Sequence, residues 1–273
     1  MKRIVGGVAA GAFLLCGSVA AQNRPLLTEP ASLVPDRTVR LEVGFEFFQD
    51  VRLDLPGLKG DLSSIGVFGL RSGVGEHVEM QLFWTAQNFL NVDERFSAPN
   101  SGNLNFSGNS TSSIGDLFIG VKWKPVHEQG GRPAIAVQFQ TQLPNASDET
   151  GLGQDVINFF NTFLIEKHFA RTRLTANLGL AILSDPVDAR SQDDLFIYGL
   201  ALLHPVSDNI SLLADFHGRA GSGGIGTEEQ TRLLIGGQIR TGRVYWDVAV
   251  MFGFKDTDPD TGLLVGLSYD FSF

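Results

Sequence analysis

The sequence predicts an all-β fold, a single antiparallel transmembrane β-barrel of about twelve strands preceded by a cleaved signal peptide. Three observations lead there. Apolar residues recur at every second position in many separate stretches, the links between those stretches alternate short and long, and the last stretch ends on an aromatic residue. In residues 263–273, Leu263, Val265, Leu267, Tyr269, Phe271 and Phe273 share one face of a strand, while Gly266, Ser268, Asp270 and Ser272 share the other. An apolar face toward lipid and a small, polar face toward a lumen is what a membrane barrel requires.

The chain opens with Lys2 and Arg3, an uncharged stretch over residues 4–15, and small residues at Ser18, Ala20 and Ala21. That is the pattern of a secretory signal peptide over residues 1–21, and the apolar stretch is too short to span a bilayer as a helix. Cys16 is the single cysteine and falls inside this leader, so no disulfide or thiol chemistry is expected of the exported chain. Residues 22–36 contain Pro25, Pro30 and Pro35 and show no strand period. They read as a flexible periplasmic lead-in, with a small plug lying in the lumen as the alternative, and are too few for a folded plug domain, leaving residues 37–273 for the barrel.

Composition supports this division. The chain is 43% hydrophobic, yet no later run is long and uncharged enough for a transmembrane helix, so the hydrophobicity is dispersed in alternating strips. A net charge of −9 excludes nucleic acid, whose phosphates need clustered Lys and Arg. The 21 Phe suit a lipid face and the 32 Gly relieve crowding inside a barrel.

Period-two reading places strands near residues 38–49, 62–71, 77–87, 113–124, 133–143, 156–169, 171–183, 195–204, 209–219, 229–240, 243–254 and 263–273. The first is clear, with Val39, Leu41, Val43, Phe45 and Phe47 set against Arg40, Glu42, Gly44 and Glu46. In the third, Val78, Met80, Leu82 and Trp84 oppose Glu79, Gln81 and Phe83; in the fifth, Ile135, Val137 and Phe139 oppose Gln138, Gln140 and Gln142. The second and eighth are apolar on both faces. With both termini periplasmic, the short turns at 72–76, 125–132, 170–171, 205–209 and 241–242 lie on the inner side. The longer, acidic links at 50–61, 88–112, 144–155, 184–194, 220–228 and 255–262 lie outside. A soluble sandwich has no reason to keep that parity.

The inward faces collect charge of both signs. Candidate lumen-lining residues are Arg40, Glu42, Glu79, Gln81, Lys122, Gln138, Gln140, Arg173, Asp215, Arg232, Gln238 and Asp247, with Phe83 and Tyr245 available to stack on a ring and Arg171, Arg219, His77 and His217 also facing in. The same pattern serves equally as salt-bridged filling. The repeat Asp256, Asp258, Asp260 resembles a calcium loop in spacing, but Gly262 is late and Pro259 stiffens it, so it reads as a solvated hairpin. No catalytic constellation is found: no His stands two residues before a Ser, and there is no nucleophile elbow, zinc spacing or phosphate loop. No cofactor and no metal site are expected.

Residues 113–124 (SIGDLFIGVKWK) and 135–144 resemble the outer-membrane barrel family described as the putative MetA-pathway of phenol degradation. Gly115, Asp116, Gly120, Lys122, Trp123, Leu143 and Pro144 match its motifs, whereas Asn145 and Ala146 stand where the family has Thr and Gly. The resemblance implies a transporter-like barrel for aromatic or other apolar small molecules. The expectation is therefore a porin-like, non-enzymatic barrel of the Gram-negative cell outer membrane, passing small, aromatic or apolar solutes by diffusion. The alternative is a structural or adhesive surface barrel with a closed lumen. Its partners would be outer-membrane lipids and lipopolysaccharide, the barrel-assembly machinery that reads the last strand, and a small-molecule solute.

Overall fold

The computed structural model describes residues 24–273; the signal peptide expected over residues 1–21 lies outside them. The strands run in order as β1 (Thr38–Leu53), β2 (Leu58–Val74), β3 (Val78–Arg95), β4 (Ser110–Ser113), β5 (Leu117–Val126), β6 (Ala134–Leu143), β7 (Asn158–Phe169), β8 (Thr172–Ser184), β9 (Gln192–Pro205), β10 (Ile210–Ala220), β11 (Gln230–Thr241), β12 (Val244–Gly253) and β13 (Thr261–Ser272). Each strand pairs antiparallel with the next, except that β4 and β5 both pair with β3. They are therefore two pieces of one wall position, interrupted at residues 114–116. β1 pairs with β13 from Thr38↔Ser272 to Gln49↔Thr261, which closes a twelve-position barrel with no free edge.

Alternation decides which face each residue takes. On β1, Arg40, Glu42 and Gly44 are buried while Phe45 and Phe47 are exposed, and the outer surface continues through Leu82, Ile119, Phe163, Leu200, Ile235 and Val248. So broad a ring of exposed aliphatic and aromatic side chains is incompatible with water and suits hydrocarbon, which makes this an outer-membrane β-barrel. No helix among the described residues is long and apolar enough to cross a membrane.

The second strand departs from simple alternation. Gly44 pairs with Val67 but Phe45 with Ile65, so Gly66 is an extra residue, held at φ 66° where a side chain would be strained. The bulge flips the parity: Leu62 and Ser64 face inward before it, Gly69 and Arg71 after it. That flip is why the strand reads as apolar on both faces, and it hides Arg71 from a period-two scan.

The structure corrects four further expectations. β2 and β3 extend well beyond residues 62–71 and 77–87, because their outer ends pair with each other up to Leu58↔Arg95 and pack against loop residues Leu104, Phe106 and Leu152. His77 lies in the periplasmic turn, its Nδ1–H donating to the Lys124 carbonyl at 2.9 Å, with its ring edge-on to His127, instead of facing the lumen. Arg171 is exposed in the next such turn, 3.0 Å from Asp208. Most consequentially, residues 24–36 are not a periplasmic tail: Leu26, Thr28, Glu29, Ala31 and Val34 are all buried, against side chains from strands all round the wall.

Candidate functional site

The strap formed by residues 24–36 crosses the inner half of the lumen, and its backbone finds no partner within itself. The wall supplies the hydrogen bonds that burial demands. The Asp215 carboxylate accepts the backbone N–H groups of Leu27 at 2.6 Å and Thr28 at 2.8 Å and the Thr28 hydroxyl at 2.5 Å. The Asn177 amide accepts from the N–H of Glu29 and donates to its carbonyl, both at 2.7 Å, as a neighbouring strand would. The Glu166 carboxylate accepts the Ser32 hydroxyl at 3.0 Å, Glu79 accepts the Val34 N–H at 2.6 Å, and Gln238 donates to the Arg24 carbonyl.

The strap's charges match the wall's. Glu29 stands between Arg71, 2.5 Å from one guanidinium nitrogen, and the Lys122 ammonium at 2.6 Å. Glu79 touches the same two cations at 3.4 and 3.2 Å, and Arg71 also donates to Glu42 at 3.2 Å. The Lys122 ammonium also lies within hydrogen-bond distance of the strap carbonyls of Pro30 and Ser32, at 3.1 and 3.0 Å. On the far side Arg24 approaches Asp247 at 3.6 Å and Glu46 at 3.8 Å. Glycine makes room there: a Cβ at Gly44 would come within 2.2 Å of the Arg24 guanidinium. Leu26 meanwhile packs on an inward apolar stripe of Leu213, Leu234, Met251 and Leu264, and Ala31 on Ala134, Ala136 and Leu164.

Outside the strap the lumen opens into a chamber of about 350 Å³. Its lining comes from the outer ends of the strands and mixes apolar Phe48, Leu62 and Leu183 with polar Gln142, Arg219 and Arg232. Its roof is made by outer loops that hold one another, since Gln154 donates to the Gly226 carbonyl at 2.7 Å. The Asp116 carboxylate fixes another loop by accepting the N–H groups of Asn145 and Ala146, both at 2.8 Å, and the Gln142 amide at 2.6 Å. Gly115 precedes it because a Cβ there would lie 2.7 Å from that of Thr85. Asp258 is buried, not solvated: it accepts from Thr231 N–H and Arg232 Nε at 2.8 Å each and so pins its hairpin to β11. No group of acidic, His or Cys residues suited to a metal ion occurs among the described residues.

The structure sorts the lumen residues expected from sequence by height. Glu79, Gln81, Lys122, Asp215, Gln238 and Asp247 contact the strap directly. Glu42 acts through Arg71, Arg40 pairs with Asp270 at 2.6 Å, and Gln138 donates to Gln81 at 2.8 Å. Arg173 is buried in the same inner half, and Gln140 lies beside Gly120. Arg232 alone borders the outer chamber. Phe83 lies under the Arg71 guanidinium, and Tyr245 under that of Arg240. The strap residues and Arg71 were missed, as was the apolar stripe. Its inward Leu residues follow the same parity as the polar ones and could have been read from it.

A transmembrane barrel whose lumen is closed on one side by its own amino-terminal segment and open as a chamber on the other belongs to the class of outer-membrane barrels. A family model described as Putative MetA-pathway of phenol degradation matches residues 22–271, so the chain belongs to that family. Among solved structures, the COG4313 outer-membrane channel of Pseudomonas putida F1 is similar at TM-score 0.62 and 14% identity, covering 87% of this chain and 97% of the other. The NanC porin is similar at TM-score 0.51 and 6% identity, covering 85% and 98%. At such identities these likenesses concern the fold. Among curated protein sequences, none matches this chain.

Proposed function

We propose that this barrel is a channel for small, apolar or aromatic solutes, taken in by passive diffusion from the outer chamber, with the strap as its removable closure. The observation that supports this most is the division of the lumen: a vacant chamber outside, and beneath it a segment held to the wall only by hydrogen bonds, ion pairs and side-chain packing. The path it closes is lined by Arg40, Glu42, Glu79, Gln81, Lys122, Gln138, Gln140, Arg173, Asp215, Gln238 and Asp247, with Arg232 at its outer end. The likeness to channels and a porin, and the family's own description, favour the same reading. Insertion would place residues 263–273 as the strand read by the assembly machinery, with lipopolysaccharide around the outer rim.

One observation favours the second reading, a structural barrel with a permanently closed lumen: Leu213, Leu234, Met251 and Leu264 are fully packed beneath Leu26. Reconstitution separates the two. Liposomes holding the protein should take up toluene or benzoate faster than empty liposomes, and planar bilayers should show discrete conductance. A barrel giving neither is the closed one.

A further inference from the structure

We propose that the outer chamber is a binding site for small carboxylates with apolar bodies, and that Arg219 takes the carboxylate. This deepens the channel reading and rests on it. Three arginines border the chamber, and two are already neutralised: Arg52 by Asp54 at 2.6 Å and Arg232 by Asp258 at 2.8 Å. Arg219 is not. Its Nε donates to the backbone carbonyl of Glu228 at 2.8 Å, and no carboxylate among the described residues lies within ion-pair distance of it. Its two terminal nitrogens have no hydrogen-bond partner among the described residues.

The nearest acidic groups act on Arg219 only at longer range: the Glu228 and Asp258 carboxylates favour its charge without touching it, and each has a closer partner. Asp54 is on Arg52, Asp116 holds the 145–146 backbone, and the Glu228 carboxylate accepts the Gly226 N–H at 2.6 Å. A guanidinium half-removed from water without an anion is costly, and its planar fork matches a carboxylate through two parallel hydrogen bonds. The lining also includes Phe48, Leu62, Leu152 and Leu183, which give an apolar body a surface to rest on, beside the polar Gln142, Gln154 and Asn158. A volume of about 350 Å³ is at the small end for ligand pockets and accommodates one ring or a short alkyl chain. A guanidinium with two free donors beside these apolar residues therefore suits a molecule with a single acidic end.

The test is calorimetric titration of the detergent-solubilised full chain with sodium benzoate, benzyl alcohol and sodium acetate. Benzoate should bind about tenfold or more tightly than benzyl alcohol, the advantage of a charge-assisted hydrogen bond, and acetate should bind weakly for want of an apolar body. In Arg219→Gln the preference for benzoate over benzyl alcohol should vanish, while Arg52→Gln should keep it. Equal binding of benzoate and benzyl alcohol by the native chain overturns the proposal without recourse to any variant, as does a folded Arg219→Gln that retains the preference. A barrel that binds benzoate but supports no uptake keeps the site and loses the channel; one that takes up toluene without binding benzoate keeps the channel and loses the site.

Discussion

The inner and outer halves of the lumen are built from the same strands and differ in how their charges are satisfied. Inside, Glu29 of the strap completes a cluster with Arg71, Lys122, Glu42 and Glu79, and Asp215 and Asn177 take up strap backbone groups. Outside, charges are matched within the loops, and Arg219 beside the chamber has no direct ion-pair partner among the described residues. The contrast teaches that occupancy, not the wall, distinguishes the halves. A side-chain network of this kind is stable only when complete, so the inner half holds one particular segment.

The most drastic way to break the comparison is to delete residues 24–36. The wall is a closed hydrogen-bonded ladder, so the barrel should still assemble. Liposome swelling with a small sugar should then rise on the order of tenfold, because an unplugged lumen of this strand number admits water. Unchanged swelling would mean that the wall closes the lumen unaided.

A second test asks whether the wall is independent of its contents. Leu82→Arg or Val248→Arg, both facing lipid, should cost about 2–4 kcal/mol in urea unfolding from vesicles, whereas Gln140→Arg should cost far less. Similar costs would show that the faces are misassigned. Smaller again is Glu29→Gln, which removes a charged acceptor from Arg71 and Lys122 and should weaken strap docking by about 1.5–3 kcal/mol, read as faster protease cleavage within residues 24–36. A cleavage rate equal to the native chain's would place the docking energy in Leu26 and Ala31 instead.

The mildest prediction concerns the periplasmic rim. Partial burial pushes the Glu128 carboxyl up, but hydrogen bonds from Lys167 and His168 outweigh it and hold the group at about 2, below its ordinary 4.5. A carboxyl with a depressed folded value stabilises fully above its unfolded value and loses that contribution as pH falls from 4.5 toward 2. Glu128→Gln should therefore lower the midpoint of thermal unfolding slightly at pH 7 and not at pH 2. A difference that persists at pH 2 would contradict this.

How much of this was legible in the sequence follows from the range of the interactions. β1, β3 and β13 were readable because a strand's faces are encoded by neighbours two residues apart, and one bulge residue, Gly66, was enough to conceal Arg71. The position of Asp116 was visible as a motif, but its work on the backbone of residues 145–146 was not. The strap was illegible for a stronger reason. Its conformation is set by Arg71, Lys122, Asn177, Asp215 and Gln238, which no local period relates to Glu29 or Thr28. Thirteen residues without a pattern look the same in solvent and in a lumen. Arg219 was recognisable as inward, whereas its lack of a partner depends on where Asp54, Asp116 and Glu228 finish.

The central claim, that the strap is the movable closure of a solute path, is tested most directly by tying it down. The described residues contain no cysteine, and a Cβ at Gly199 would lie 3.3 Å from that of Thr28, close to disulfide spacing. Benzoate uptake by liposomes carrying the Thr28→Cys, Gly199→Cys chain should be abolished when oxidised and return on adding a thiol reductant. Uptake that is equal in the oxidised and reduced forms would contradict the account.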